Sequence, residues 1–258
     1  MTECIGDAGR QNGCNTLYSD ARFVRYYEMV RAAEREHELM APYLRKTDQV
    51  LDIGCGTGEL ALSLHRMVRS VLGLDLSSAM IAAAEARRIR IGVGNVTFVQ
   101  GDMLTMAQNE TFDCAILGNA VLSEVADSSS MVSFIRRVHG WLGSDSRLIM
   151  TNAVFSPALL CDSCSAGTIL DPETGHRISV LYEGNKVDVD SGMWSTTIAF
   201  KDARTGQIDR FPFHLNFIYR KELVFLLSLG GFCIEHEAVY QQGAMRLIIC
   251  RKKELPNL

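Results

Sequence analysis

Asp52-Ile53-Gly54-Cys55-Gly56-Thr57-Gly58 stands between an apolar run, Val50-Leu51-Asp52-Ile53, and a helical pattern that begins at Glu59. Glycine at every second position lets a backbone turn sharply and lets a ligand approach main-chain atoms that a Cβ would block. A buried strand, such a turn and a helix together make the opening unit of a parallel α/β sheet. The chain continues in the same rhythm. Leu60, Leu62, Leu64 and Met67 mark a helix to about Arg69, and Val71-Leu72-Gly73-Leu74-Asp75 is a second strand. Ser77 or Ser78 caps a helix to about Arg90. Val96–Val99, Phe112–Leu117 and Arg147–Met150 supply three more strands, with a helix around Met131–Leu142 before the last. Strands alternating with helices at this spacing predict a parallel sheet with right-handed crossovers.

The flanks read differently. Residues 20–45 carry Phe23, Tyr26, Tyr27, Val30 and Ala33 at helical spacing, which predicts one long amphipathic helix. After residue 153 two similar turn signals appear, Asp171-Pro172-Glu173-Thr174-Gly175 and Asp202-Ala203-Arg204-Thr205-Gly206. They separate extended stretches at His176–Tyr182, Met193–Phe200 and Gln207–Ile218, which read as antiparallel strands of an inserted β lid over 153–216. A helix at Lys221–Leu229, closed by Gly230 and Gly231, and a hairpin at Phe232–Tyr240 and Ala244–Cys250 then resume the first pattern. The expected architecture is α/β: a Rossmann-like, mostly parallel seven-stranded sheet with helices on both faces and the antiparallel lid. Residues 1–152 and 217–258 form its main domain.

Composition narrows the function. Nearly half of the 258 residues are apolar (47%), enough for a sizeable core. A net charge of −4 gives no electrostatic footprint for nucleic acid; the basic runs at Arg87, Arg88, Arg90 and at Arg251, Lys252, Lys253 read as solvated helix or strand ends. No apolar run reaches the roughly 18–20 residues needed to span a bilayer. Glu3, Gly6 and Asp7 do not resemble a signal peptide, so a cytoplasmic protein is expected. Several of the eight cysteines (Cys4, Cys14, Cys55, Cys114, Cys161, Cys164, Cys233, Cys250) sit in apolar runs and read as core residues. Cys161 and Cys164 form a lone C-x-x-C without the second pair that a zinc site needs, and no metal is expected. The partner expected is a small molecule or a peptide, with room for a homodimer.

The glycine turn and an acidic strand end, Asp75, would suit a nicotinamide dinucleotide, whose ribose hydroxyls such a side chain binds. Three details favour S-adenosylmethionine (SAM). The spacing is G-x-G-x-G, and the third glycine of the dinucleotide pattern would fall on Glu59. Asp52 precedes the glycines, where it can bind an amino group, which SAM has and a dinucleotide lacks. Gly101-Asp102-Met103 follows the third strand and offers a carboxylate and an apolar neighbour to an adenine.

These elements together resemble the class I SAM-dependent methyltransferase family over roughly 48–152 and 217–258. The resemblance implies that Asp52, Gly54, Cys55, Gly56 and Gly58 surround the methionine part of SAM. It places Asp75 and Leu76 at the ribose, and Asp102 and Met103 at the adenine. Leu117-Gly118-Asn119-Ala120-Val121-Leu122-Ser123-Glu124 also resembles the small-molecule branch that includes glycine N-methyltransferase, through its Gly118-Asn119 pair and the lid. The chain lacks the Asn-Pro-Pro-Tyr signature of DNA adenine methyltransferases and the carboxylate cluster of magnesium-dependent catechol enzymes. It has only Glu124 where protein arginine methyltransferases carry paired glutamates. A metal-independent enzyme that methylates N or O, less readily C, of a small molecule or peptide is the expectation. The alternatives are a SAM-binding protein without methyl transfer (a cyclase or sensor) and a nicotinamide oxidoreductase.

Methyl transfer from a sulfonium is an in-line displacement that needs alignment, with a base where the acceptor must lose a proton. Tyr26 and Tyr27 sit where this family's N-terminal helix covers SAM, and Tyr27 is also a candidate catalytic group. In the strand 207–218, Phe211, Phe213, Leu215 and Phe217 alternate with Arg210, Pro212, His214 and Asn216, and either face could meet the acceptor. His214 is the candidate base, and Asn119, Trp194, Arg210 and His214 are the candidate acceptor-binding residues.

Overall fold

Strand residues alternate between two apolar layers, which is what a sheet covered on both faces requires. The computed structural model describes residues 16–32, 36–156, 160–188 and 190–253. Its main sheet has seven strands in the order β10-β11-β5-β4-β1-β2-β3. These are β1 (Gln49–Ile53), β2 (Ser70–Asp75), β3 (Val96–Gln100), β4 (Phe112–Leu117), β5 (Leu142–Ala153), β10 (Phe232–Tyr240) and β11 (Met245–Lys252). β3, β2, β1, β4 and β5 run parallel; β11 is antiparallel to β5 and to β10. Leu51, Ile53, Ala115 and Leu117 face the layer built by α5 (Ser128–Trp141) and α6 (Arg220–Leu229). Val50, Val71, Cys114 and Ile116 face the opposite layer, which includes α3 (Glu59–Leu64) and Met40 of α2 (Glu36–Met40). Cys55, Cys114 and Cys250 are buried as small core residues, while Cys161 is exposed.

Chain order and spatial order diverge at β1. From it the chain steps outward to β2 and β3, then returns to place β4 on the other flank. Ligands of open α/β sheets lie at the carboxyl ends of the strands at such a switch point, here between β1 and β4.

The second sheet is antiparallel, in the order β6-β7-β8-β9: Ser163–Leu170, Arg177–Asp188, Met193–Asp202 and Ile208–Asn216. Its apolar face packs inward. Ile178, Val180, Ile198, Phe200 and Phe211 form one core with Phe23 and Val24 of α1 (Ala21–Ala32) and Met80 of α4 (Ser78–Ile91). Polar contacts lock the same joint: Tyr26 stacks on Phe200 with ring centroids 4.3 Å apart, and its hydroxyl donates to Asp209 Oδ2 at 2.8 Å. Arg25 pairs with Asp171 at 2.7 Å.

Several boundaries differ from the sequence expectation. The long N-terminal helix is α1 followed by α2 and a 3₁₀ turn at Ala41–Tyr43 that Pro42 opens; Ala33 lies outside the described residues. Cys4, Cys14 and the acidic start at Glu3, Gly6 and Asp7 lie outside them too. The helix expected from Glu59 to Arg69 stops at Leu64, and β5 begins five residues earlier than Arg147. Strand β6 was not expected, because its largely exposed edge position imposes no apolar alternation. No helix among the described residues is long and apolar enough to cross a membrane.

Candidate functional site

Asp52 sits near the carboxyl end of β1 and is only 2% exposed. The chain then turns through Gly54, Gly56 and Gly58, all at positive φ (69°, 54° and 74°), a conformation that L side chains rarely adopt. Main-chain N–H groups of Gly54 and Cys55 donate to Leu74 O at 2.7 and 3.0 Å, which seats the turn on β2. Close approach explains two of the glycines further. A Cβ on Gly56 would lie 3.1 Å from Tyr27 Cε1, and one on Gly58 would lie 2.5 Å from Phe98 Cζ. Gly56 thus lies against Tyr27, whereas Gly58 brings the start of α3 against β3.

A small cleft opens beside this turn, lined by residues from α1, β1, α3 and the end of β4. It gathers Tyr27, Asp52, Gly54, Cys55, Gly118 and Asn119 from the expected site, and adds Arg31, Thr57, Glu59 and Leu60. Asn119 and Ala120 follow β4 with φ of 49° and 59°, left-handed positions unusual for residues other than glycine. Asn119 Nδ2 donates to the Tyr27 hydroxyl at 3.3 Å, tying the cover helix to the switch point.

The charges in and around the cleft are arranged unequally. Burial pushes the Asp52 carboxyl up to about 7, and the nearby Arg31 guanidinium opposes the rise. Asp52 Oδ2 and Thr57 Oγ1 are buried and have no hydrogen-bond partner among the described residues. Arg31 Nη2 donates to Glu36 Oε2 at 2.8 Å, and both side chains are buried. Glu36 Oε1 also accepts from Tyr240 at 2.8 Å and from Thr151 at 3.2 Å. A buried carboxylate is tolerated when its acceptor sites are filled in this way. At the next strand end, Asp75 Oδ2 accepts the Gly56 N–H and Oδ1 the Ser77 N–H, each at 2.8 Å. Burial raises the Asp75 carboxyl, and these N–H donors pull it back.

Buried, unpartnered polar atoms at a glycine turn fit a ligand that brings its own polar groups. An α-amino acid moiety meets the requirement: its ammonium matches Asp52 Oδ2, and its carboxylate matches the Arg31 guanidinium in the same cleft.

Other expected residues do not line the cleft. Leu76 is half exposed beyond Asp75, and Asp102 spends Oδ1 on the Leu104 N–H at 2.8 Å while Met103 packs against the sheet core. Tyr26 belongs to the joint between α1 and the lid. His214 and Arg210 stand on the outer, polar face of the lid. His214 Nδ1 lies 3.0 Å from Ser195 Oγ, and Arg210 pairs with Glu183 at 2.8 Å. The aromatic face of that strand packs inward instead, because burial of Phe211, Phe213 and Leu215 outweighs any gain from turning His214 in. Trp194 is buried against Ala120, Leu215 and Phe217 with Nε1 donating to Asn185, so it supports the residue after Asn119 from below.

Sequence reading missed Arg31 and Glu36, which look like solvated charges on an amphipathic helix. The signal available was spacing: Arg31 lies four residues after Tyr27 and so shares its helix face. Among the described residues, no His, Cys, Asp and Glu side chains cluster in a way that could hold a metal ion.

A family model described as a methyltransferase domain matches residues 44–201. The chain belongs to that methyltransferase family. Its fold is that of SAM-dependent methyltransferases of known structure. The amino pentose methyltransferase CalS10 of Micromonospora echinaspora, solved with SAM bound, superposes with a TM-score of 0.72 at 17% identity, covering 89% of this chain and 97% of that one. A SAM-dependent methyltransferase from Clostridium acetobutylicum ATCC 824 gives 0.70 at 18% identity, covering 90% and 98%. In sequence, a Geobacillus sp. (strain WCH70) protein provisionally named a methyltransferase is 33% identical over 101 residues, 39% of this chain and 40% of that protein. The chain thus spans well under half the length of the curated relatives it matches first.

Proposed function

We propose that the cleft binds SAM and that the protein transfers its methyl group to an N or O atom of a small molecule or peptide, without a metal. The observation that carries this reading is the buried, unpartnered Asp52 Oδ2 beside Arg31 at the glycine turn. Asp52 takes the ammonium and Arg31 the carboxylate of the methionine moiety. Gly54, Cys55 and Gly56 present main chain, Gly118 and Asn119 line the cleft from β4, Tyr27 covers it, and Asp75 holds the ribose. Leu76, Asp102 and Met103, beyond the cleft along the strand ends, flank the adenine. When bound, SAM supplies a methyl carbon already activated by a sulfonium, so the protein's task is alignment and exclusion of water.

Residues 1–152 and 217–258 serve the cofactor, and the inserted segment 153–216 closes over the acceptor. Its inward aromatic face, with Trp194 behind Ala120, supports that assignment. A small or peptidic acceptor is supported by structural neighbours described as an amino pentose methyltransferase and a glycopeptide N-methyltransferase. The test is calorimetric titration with SAM, followed by mass spectrometry of S-adenosylhomocysteine formed with candidate acceptors. Binding and acceptor-dependent S-adenosylhomocysteine support the reading. Binding with a different cofactor product, or with none, would assign a SAM-binding protein of another kind.

A further inference from the structure

Asp52 lacks the compensation that neighbouring charges in and around the cleft have. The residue is 2% exposed, and its Oδ2 is buried with no hydrogen-bond partner among the described residues. Charged and titratable groups surround it on several elements. Arg31 of α1, the nearby cation, is paired with Glu36 of α2 at 2.8 Å. The other Glu36 oxygen is occupied by Tyr240 and Thr151. Glu59 of α3 pairs with Arg87 of α4, and Asp75 at the end of β2 accepts two main-chain N–H groups. Burial, with Asp52 and Asp75 nearby, keeps Cys55 of the turn a thiol. No histidine is among the residues that line the cleft.

An ionised carboxylate buried beside an empty acceptor site is costly, and a group so placed holds a proton instead. Arg31 offsets that cost only in part, because Glu36 shares its charge, and Glu36 and Asp75 both add negative potential at Asp52. The Ala61 N–H, near the start of α3, acts in the same sense as Arg31. Burial outweighs these two and lifts the carboxyl to about 7. Below that pH the empty cleft therefore contains a neutral acid.

A ligand ammonium reverses the balance. It brings the missing donor to Oδ2 together with a positive charge at hydrogen-bond distance, and both favour the ionised form. The pair then holds one proton fewer than its separated partners, whichever of the two groups keeps the shared proton.

We infer that the cleft takes up the amino acid part of SAM in exchange for the Asp52 proton, so that cofactor binding is coupled to proton release. The inference rests on the SAM-binding reading above. The proton leaves the Asp52 carboxyl for water, no bond of the ligand changes, and the ammonium charge replaces it in the cleft. Binding requires the ionised form, so affinity is full above pH 7 and falls as pH drops below it. An adenosine ligand without the amino acid leaves Asp52 protonated and its Oδ2 unfilled. S-adenosylhomocysteine keeps the amino acid after methyl transfer, so acid pH weakens donor and product alike.

Two thioethers that share the adenosine and differ in the amino acid isolate this effect: S-adenosylhomocysteine and 5′-methylthioadenosine. Titration calorimetry of the full chain in buffers of different ionisation enthalpy counts the protons exchanged. S-adenosylhomocysteine should release roughly one proton per site at pH 6, about half of one at pH 7 and almost none at pH 8. Its dissociation constant should rise about tenfold from pH 8 to pH 6, and that of methylthioadenosine by less than about threefold. Asp75, which both ligands meet through the ribose, cancels in this comparison. Infrared difference spectra at pH 6 supply a second readout. The carbonyl band of a protonated carboxyl should disappear on adding S-adenosylhomocysteine and persist with methylthioadenosine. Release of less than about 0.3 proton at pH 6, equal release with both ligands, or an S-adenosylhomocysteine affinity unchanged between pH 8 and pH 6 would overturn the proposal. Failure of the wild type to bind SAM and S-adenosylhomocysteine at any pH would instead remove the reading beneath it.

Discussion

Asp75→Ala removes a carboxylate that serves the fold and, in the proposed function, the ligand as well. In the free protein, its two oxygens hold the Gly56 and Ser77 N–H groups, binding the glycine turn to the start of α4. Hydrogen bonds to charged groups contribute about 1.5–3 kcal/mol each when buried. Asp75 is half-buried, so water recovers part of that, and about 2–3 kcal/mol of stability should be lost in total. With SAM present, loss of the bond to the ribose hydroxyls weakens affinity about 10–150-fold. The loosened Gly56 adds to the loss, so the result should lie in the upper half of that range. Urea unfolding reads the first quantity and titration calorimetry the second. A folded variant whose SAM dissociation constant stays within threefold of wild type would remove Asp75 from the ligand site. An unchanged urea midpoint would show that its bonds to Gly56 and Ser77 contribute nothing.

Four further substitutions probe the same geometry. Asp52→Asn should raise the melting temperature of the ligand-free protein at pH 8 and abolish tight SAM binding. Because burial lifts the folded carboxyl to about 7, its contribution is most favourable below its unfolded value near 3.8 and is lost as pH rises through 7; the penalty is on the order of 4 kcal/mol. A melting temperature lowered by the substitution would contradict this. Tyr26→Phe, which leaves Asp209 short of one donor, should cost about 1–3 kcal/mol in urea unfolding with SAM affinity nearly unchanged; a large loss of affinity would place Tyr26 in the cofactor site after all. His214→Ala should change stability by less than about 0.5 kcal/mol and leave turnover intact, while Trp194→Ala should cost about 3–5 kcal/mol; a large kcat loss at His214 would turn the outer face of the lid toward the acceptor.

The main sheet was legible because its determinants are local: buried apolar runs, alternating glycines and a capping Ser77, whose side chain accepts the Met80 N–H as a cap should. The alternation in β9 was legible too, but not which face turns inward, since that depends on the rings of Phe23 and Tyr26 on a distant helix. Strand β6 escaped because an exposed edge strand imposes no pattern on its side chains. At the site, the glycines and Asp52 carry their chemistry in their spacing. Arg31 and Glu36 do not, because a charge becomes a buried partner only when remote elements such as Thr151 and Tyr240 close around it.

On the proposed function, this cleft holds the amino acid and ribose of SAM. Titration calorimetry of the wild-type protein with SAM, with 5′-methylthioadenosine (which lacks the amino acid part) and with NADH tests it most directly. SAM should bind at one site per chain, methylthioadenosine at least tenfold more weakly, and NADH not at all. Equal affinity for SAM and methylthioadenosine would deny any role to Asp52 and Arg31, and binding of NADH without SAM would contradict the account outright.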